Sequence, residues 1–580
     1  MKSNSLLYSV RSFLLILIAL SGSLKPQCLI AQKISKPNVI IFLMDDMGYG
    51  DVKIMNPEGC GFNTPNLDQL ARDGVYFSQA HSADALCATT RYSLLTGNHV
   101  YRGRKTEGTW DNLTKSQIMP GQKTLADILR AQGYVTAFFG KSHLGGEFLK
   151  ADGTVAGNYD EADLSRRFID GPIEHGFDYS LTLPGGIQES PYAFFKNDRL
   201  ARWDKDLKEF VHFDQDDNAR IHFTKFYNKD INLDEFMMDN WTTESVGPLL
   251  MRDALGFIDS HIEKHGTTIP FYMHYCSQAG HVPYVPPLAF NINEPTDTED
   301  LSKVGALPVK GQTVNIRTDM MYEGDLAMGL FIEKLRKKGI LENTLIIFSS
   351  DNGAAAGINQ EWSNPIYETP REGKFGGNRT ETGTNRKDLM HTNAQGVAKG
   401  GSPLRGEKGF VYEGGHRVPL IFRWGNGIPS GYVVEDQLIS LHDIFRTVAS
   451  IVDVSPGPES GLDSYDFSAI LRQPDIPHDP VREYLFIQSN EQNIERTTIK
   501  WAAFQQTKGN KDPDVWKAII NIPRTLYGKD FPDMLDKAKA IELYYLSDDP
   551  SESNNMLHSD KLKELEMKFK SELNLSRTAK

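Results

Sequence analysis

The feature that most constrains this chain is a series of short, near-continuous apolar runs alternating with longer helix-patterned stretches. The first run, Asn38-Val39-Ile40-Ile41-Phe42-Leu43-Met44, lacks the polar alternation of a half-solvated strand. It suits a strand covered on both faces of a sheet. Strands are predicted likewise over 134–139, 270–275 and 344–349, and helices over 123–132, 246–264 and 317–338. An earlier helix is punctuated at both ends. Thr64 fits its N-cap, Pro65 the first turn, Leu67, Leu70 and Ala71 the buried stripe, and Gly74 the stop. Strands alternating with helices predict an α/β fold, with a large central, mainly parallel sheet flanked by helices.

Two long polar stretches, 145–243 and 354–401, break the alternation. They exceed simple connections and are expected to be functional insertions or lids. After about Pro474 the texture changes: strands over 483–488, 498–504 and 541–546 precede a terminal amphipathic helix over 560–573. This predicts a small C-terminal α+β subdomain with an antiparallel sheet over 476–580, after a main domain over 32–475.

Residues 1–31 are expected to be an export signal. Lys2 and Arg11 give it a positive start, residues 13–20 an apolar run, and Leu29-Ile30-Ala31 a cleavage site before Gln32. The run is too short to span a bilayer and no later one is long enough. The mature protein is therefore expected to be exported, periplasmic or secreted, with no membrane partner. A formal charge of −13 argues against a nucleic-acid partner, which needs a net basic face. It does not argue against an anionic substrate, since a few local cations outweigh a distant negative surface. Beyond Cys28 in the signal, the cysteines are Cys60, Cys87 and Cys276, an odd number that leaves at least one unpaired. A disulfide between Cys60 and Cys276 is compatible with the sequence without being dictated by it.

In an open α/β sheet, ligands bind beyond the carboxyl ends of the strands. Here each predicted end carries reactive groups. The first strand runs into Asp45-Asp46, the second into Lys141-Ser142-His143, the third towards His281, and the fourth into Asp351-Asn352. A single aspartate after a strand is commonly just a turn or cap; four ends with complementary chemistry point to a site. Three carboxylates and an amide oxygen form a hard, all-oxygen donor set, suited to Ca²⁺ or Mg²⁺ rather than zinc. Asp45, Asp46 and Asp351 carry −3 against +2 from such an ion, and Arg91, Lys141 and Lys408 then make the site net positive. A site of that charge holds an anion and stabilises charge in a transition state.

The segment Leu86-Cys87-Ala88-Thr89-Thr90-Arg91-Tyr92-Ser93-Leu94-Leu95-Thr96-Gly97 resembles the signature of the formylglycine-dependent sulfatases of the alkaline phosphatase superfamily. That signature is Cys or Ser, any residue, Pro-Ser-Arg, then an apolar turn and Thr-Gly. Other segments resemble the family in its own order. They are residues 37–50 with the Asp pair, Gly140-Lys141-Ser142-His143, His281-Val282-Pro283 and Ser350-Asp351-Asn352-Gly353. Leu404-Arg405-Gly406-Glu407-Lys408-Gly409, Glu413-Gly414-Gly415-His416-Arg417-Val418-Pro419 and residues 544–555 continue the series. The chain departs from the pattern at Thr89-Thr90, where Pro-Ser is usual, and at Gly280, where Pro is common.

The resemblance implies an alkaline phosphatase-like fold, with 32–475 as the catalytic domain. It further implies that Cys87 is oxidised to formylglycine by a maturation enzyme during export. Asp45, Asp46, Asp351, Asn352 and the modified Cys87 would hold one Ca²⁺ ion. The formylglycine hydrate would attack the sulfur of a sulfate ester. His281, with Lys408, would donate a proton to the leaving sugar hydroxyl, and His143 would deprotonate the second hydroxyl. Arg91 and Lys141 would orient the diol and offset its charge. His99, His274 and His416 have no such support beyond their position, although His416 and Arg102 are candidates to line the substrate pocket.

The expected activity is hydrolysis of sulfuric esters on a sulfated carbohydrate, in the manner of polysaccharide sulfatases of polysaccharide-degrading bacteria. An algal polysaccharide such as ulvan or carrageenan is the expected substrate. Trp362, Tyr367, Phe375, Arg379 and Arg386 in the second insertion are expected to form part of its wall. The alternatives are a phosphatase or phosphodiesterase of the same superfamily, which would present Ser or Thr with zinc-binding histidines, and a non-catalytic glycan-binding homologue.

Overall fold

Five parallel strands form the centre of the fold, in the order Thr344–Ser350, Asn38–Met44, Phe271–Cys276, Val135–Lys141 and Tyr179–Leu183. The computed structural model describes residues 36–580 apart from 107, 111, 214–221, 229–232, 356–395, 397–403, 459, 490–497, 508–513, 524–530 and 579–580. Every residue of Asn38–Met44 is buried. Ile40, Phe42 and Met44 enter one hydrophobic cluster and Val39, Ile41 and Leu43 the other, which is the two-sided burial its composition predicts. Complete burial of such a side chain contributes about 1.5–3 kcal/mol. This strand therefore anchors both layers.

On one face lie Pro65–Arg72, Val246–His265 and Ile316–Lys337; on the other lie Cys87–Thr96, Leu125–Arg130 and Asp443–Ile451. Thr64 occupies the N-cap position of Pro65–Arg72, but its hydroxyl makes no cap bond. It accepts from Lys53 N–H at 2.9 Å and donates to Asp68 at 3.0 Å. The cap comes from Asp325 on Ile316–Lys337, whose Oδ1 accepts from the amides of Asn66 at 3.0 Å and Leu67 at 2.8 Å. The sequence offers no sign of a cap so distant along the chain.

Among the described residues the sheet has eleven strands and is mixed outside its parallel centre. Leu420–Arg423 joins antiparallel to Thr344–Ser350, followed by Val75–Phe77 and Tyr432–Val434. At the other edge, Phe194–Lys196, Arg199–Asp204 and Glu209–His212 add antiparallel hairpins to Tyr179–Leu183. Within the 145–243 stretch, Tyr179–Leu183, Phe194–Lys196, Arg199–Asp204 and Glu209–His212 thus belong to the sheet. Hairpins need only tight turns, so a polar stretch can add strands without crossover helices.

The C-terminal sheet is antiparallel, in the order Tyr484–Ser489, Thr498–Thr507, Asp514–Pro523 and Lys539–Tyr545. Asp514–Pro523 was not among the predicted strands. Leu562, Leu565, Phe569 and Leu573 of the last helix pack with Trp501 and Ile520 on one face. Leu485, Ile487 and Ile519 on the other face pack with Val411, Tyr412 and Leu438. Among the described residues, no helix is long and apolar enough to cross a membrane.

Candidate active site

The carboxyl ends of the central strands converge on one buried cluster. Asp45 and Asp46 follow the strand Asn38–Met44, Lys141 ends Val135–Lys141, and Asp351 and Asn352 follow Thr344–Ser350. Glycine is required where Val135–Lys141 turns into the site. Gly140 has φ +88°, and a Cβ there would stand 1.8 Å from the Cys276 carbonyl oxygen. Gly280, in the turn before His281, is equally constrained, because a Cβ would stand 2.3 Å from the Asp45 carbonyl oxygen.

Cys87 is the first residue of the helix Cys87–Thr96, whose N-cap Leu86 supplies no side-chain cap. The helix end therefore presents its free amides and partial positive charge beside Cys87, an arrangement that favours an anion. Thr90 fastens the preceding loop: its hydroxyl donates to the Asp84 carbonyl at 2.9 Å and accepts from Asp84 N–H at 3.2 Å. Thr89 donates to the Leu86 carbonyl at 2.9 Å. The two threonines thus make the bonds that hold the turn. Cys87 Sγ lies 3.4 Å from His143 Nδ1, and both residues are buried. Burial pushes the Cys87 thiol up despite the nearby Lys141 and Lys408, so the unmodified side chain is a neutral thiol and a poor nucleophile.

Arg91 grips Asp351 Oδ2 with Nε at 2.9 Å and Nη2 at 2.6 Å, and donates through Nη1 to the Lys141 carbonyl at 2.9 Å. Lys141 Nζ donates to Asp45 Oδ2 at 2.9 Å. Lys408 Nζ meets both Asp46 oxygens, at 2.6 and 2.9 Å. His281 Nε2 stands 3.8 Å from Asp46 Oδ2, while its Nδ1 contacts the Val282 carbonyl at 2.6 Å. Nδ1 must therefore carry the proton, and the Nε2 lone pair faces the cluster. All ten predicted site residues are brought together, Asn352 through its Nδ2, which donates to Asp46 Oδ1 at 2.8 Å.

Burial opposes charge on Asp45, yet Lys141, His281, Arg91 and Lys408 outweigh it and hold the carboxyl well below the usual range. Asp351 goes the other way: burial, and then the neighbouring Asp45, push it up to about 7 despite Arg91. Burial followed by the Lys408 and Lys141 charges pulls His281 down to about 4. Burial, then Lys141 and Arg91, hold His143 well below the ordinary histidine value. Both imidazoles are neutral near pH 7.

The donor set fits a hard divalent cation. Asp45 Oδ1 and Asn352 Oδ1 are buried without a hydrogen-bond partner, and two unsatisfied oxygen acceptors in a buried acidic cluster are what such an ion completes. Asp45, Asp46 and His281 present ligand atoms close enough together to share an ion.

Sequence reasoning missed Arg317 and Asp51, which brace Asp46 from behind; the Arg317–Asp51 pair spans 266 positions, so no local pattern marks it. Other candidates are corrected. His416 does not line a pocket: it is fully buried, with its Nδ1 2.9 Å from that of His81 and its Nε2 3.2 Å from Lys517 Nζ. His81, Glu413 and His416 have metal-like spacing, but the Lys517 ammonium, 2.9 Å from Glu413 Oε1, already neutralises that cluster. Arg102 pairs with Asp463 at 2.7 Å, beyond the other end of the Cys87–Thr96 helix, beside a cavity of about 380 Å³ that His99 also lines. His274 is a core residue, bonded to Tyr272 at 2.9 Å and stacked on Phe138. Cys60 and Cys276 are both free and buried, so the compatible disulfide is not formed. Trp362, Tyr367, Phe375, Arg379 and Arg386 lie outside the described residues.

A family model described as Sulfatase matches residues 37–454. An N-acetylgalactosamine-6-O-sulfatase of Bacteroides thetaiotaomicron is 25% identical over 556 residues, covering 92% of each chain. A structure from work on glycosaminoglycan metabolism in the same organism superposes with a TM-score of 0.62 at 23% identity, covering 93% of this chain and 99% of that one. Ps i-CgsB, solved with k-i-k-neocarrahexaose, gives 0.58 at 19% identity, covering 93% and 92%.

Proposed function

The chain belongs to the sulfatase family, and from that premise we propose that it is an exported enzyme that hydrolyses sulfate esters on a carbohydrate, with formylglycine at position 87 and one Ca²⁺ ion. The observation that carries this reading is the buried contact of Cys87 with His143, at a helix N-terminus, beside a carboxylate cluster with unsatisfied oxygens.

The cation would be held by Asp45, Asp46, Asp351, Asn352 and the modified Cys87, and would supply Lewis-acid stabilisation of the sulfate oxygens. A formylglycine hydrate would supply an oxygen nucleophile, with a second hydroxyl whose deprotonation lets sulfate depart. This chain's own residues do the rest. His143 Nδ1, 3.4 Å from Sγ, takes that proton in its neutral form. Lys141 Nζ and the helix amides offset negative charge at position 87, and Arg91 fixes the Asp351 carboxylate and the Lys141 main chain through three donors. His281 Nε2 and Lys408 Nζ flank the same Asp46 carboxylate, where the Lys408 ammonium donates to the departing sugar oxygen and His281 can donate only after Nε2 has taken up a proton. Burial of nearly the whole cluster excludes water and strengthens each of these interactions.

For the substrate, the Bacteroides relative's name favours a 6-O-sulfated N-acetylgalactosamine unit. The algal polysaccharides ulvan and carrageenan stand second. The all-oxygen donor set, with a cysteine at position 87, argues against a phosphatase or phosphodiesterase. The assembled catalytic set argues against a merely glycan-binding homologue. Export through residues 1–31, processing by a formylglycine-generating enzyme, and the absence of membrane or nucleic-acid partners complete the proposal. The test is sulfate release by purified, formylglycine-bearing enzyme from defined sulfated oligosaccharides, beside a phosphate diester. Turnover of the phosphate ester with none of any sulfate ester would overturn it.

A further inference from the structure

Asp46 is held by its main chain as well as by its carboxylate. Its φ of +58° lies in the left-handed region, which aspartate tolerates better than most residues with a Cβ, and the bonds of its main chain hold it there. Its N–H donates to Asp351 Oδ1 at 3.2 Å, and the next amide, Met47 N–H, donates to Ser350 Oγ at 2.9 Å. Its carbonyl accepts from Arg317 Nη2 at 3.4 Å.

Arg317 is an unusual partner. It sits in the first turn of Ile316–Lys337, where the helix dipole disfavours a cation, and it is buried. Its fork grips Asp51 with Nη1 at 3.0 Å and Nη2 at 2.6 Å. Asp51 Oδ2 also accepts from Gly48 N–H at 2.9 Å. Asp51 therefore closes the turn that follows Asp46, and Arg317 ties that turn and the Asp46 carbonyl to a helix far along the chain. The bidentate geometry matters, since a lysine ammonium cannot serve both carboxylate oxygens and the carbonyl with one planar fork.

We infer that Arg317, acting through Asp51 and the Asp46 carbonyl, is a positioning residue that sets the aim of the Asp46 carboxylate and so the affinity of the site for its divalent cation. The inference rests on the metal reading above. Arg317 touches no reacting atom; it restrains the backbone of one metal ligand, and such outer contacts typically govern affinity about 10- to 100-fold.

The test is calcium titration of chelated protein by calorimetry, with melting of the chelated form measured in parallel. Arg317→Lys should bind calcium about 10- to 100-fold more weakly than the wild type. The double variant Arg317→Leu with Asp51→Leu removes both buried charges together, and so guards against simple failure to fold. It should also bind weakly. Calcium binding as tight as the wild type in both variants would overturn the inference while leaving the metal reading intact. So would a loss that merely tracks melting temperature and is matched by the remote Asp463→Asn variant. A wild-type protein that binds no divalent cation would overturn the metal reading itself, and the inference with it.

Discussion

Cys87 Sγ and His143 Nδ1 lie 3.4 Å apart although 56 positions separate them in the chain. Burial keeps the thiol protonated and the imidazole neutral, so the pair as encoded is chemically quiet. The proposed oxidation of Cys87 changes that. A peptide spanning Cys87 from active enzyme should show loss of H₂S and gain of oxygen by mass spectrometry, and activity should scale with the converted fraction. Cys87→Ala should be inactive. Full activity with an unmodified thiol would end the formylglycine proposal.

His143→Ala, prepared with the position-87 modification intact, should lower kcat by about 10²- to 10⁴-fold, the usual worth of a positioned proton acceptor. Calcium should still bind, because Asp45, Asp46, Asp351 and Asn352 are left in place. A kcat within the wild-type range would remove His143 from the mechanism.

The metal proposal predicts that chelation abolishes activity and that Ca²⁺ restores it, with about 6–8 oxygen ligands expected around the ion. Asp351→Ala is a poor probe, since it would strand the buried Arg91 guanidinium that Asp351 neutralises at 2.6 Å. Breaking such a pair costs about 3–5 kcal/mol. Asp351→Asn keeps an acceptor for Arg91 and should lose calcium binding with a smaller loss of stability. Zinc as the sole metal in active enzyme would refute the assignment.

Glu323 should make the protein less stable as pH rises. Burial pushes its carboxyl from 4.5 up to about 8, against a hydrogen bond from the Gln278 amide at 2.9 Å. Its folded pKa lies above its unfolded one, so its contribution is fully present below about 4.5 and is lost as pH climbs through about 8. Each unit of that difference is worth about 1.4 kcal/mol. Thermal melts between these limits should show a steeper decline for wild type than for Glu323→Gln. Parallel curves would show that Glu323 is not the group that titrates.

Asp325 caps Pro65–Arg72 from Ile316–Lys337, with Oδ1 on two amides and Oδ2 on the Asn66 side chain at 2.8 Å. Asp325→Ala leaves those buried donors unsatisfied, at a cost of about 1–3 kcal/mol. Urea denaturation should register that loss, with Asp325→Asn retaining part of the stability. An unchanged midpoint in Asp325→Ala would mean that other acceptors take over the cap.

Much of the site was legible because its chemistry is carried by short segments at strand ends. An apolar run such as Asn38–Met44 announces a buried strand, and the side chains just past it must emerge at the carboxyl edge of the sheet. That logic alone puts Asp45, Asp46, Lys141, Asp351 and Asn352 at one edge of the sheet. The resemblance of the Cys87 and Lys408 segments to the sulfatases supplied the rest. Less legible was whatever one segment does for another. Thr64 has the right type for a cap and the right position, yet its hydroxyl is turned to Lys53 and Asp68, and Asp325 from a distant helix does the capping. His416 carries the motif of an active-site neighbour but is buried against His81 and Lys517.

By itself, then, the sequence determined the α/β class, the two-sided burial of the central strands and the residue types that meet at their ends, since periodicity and local composition dictate these. Only the tertiary structure decided that the sheet is mixed at its edges, that Cys60 and Cys276 stay apart, and that Arg317 and Asp51 brace Asp46. These outcomes depend on distances between segments hundreds of positions apart. Such distances are set by how whole layers pack, and no local pattern of residues encodes them.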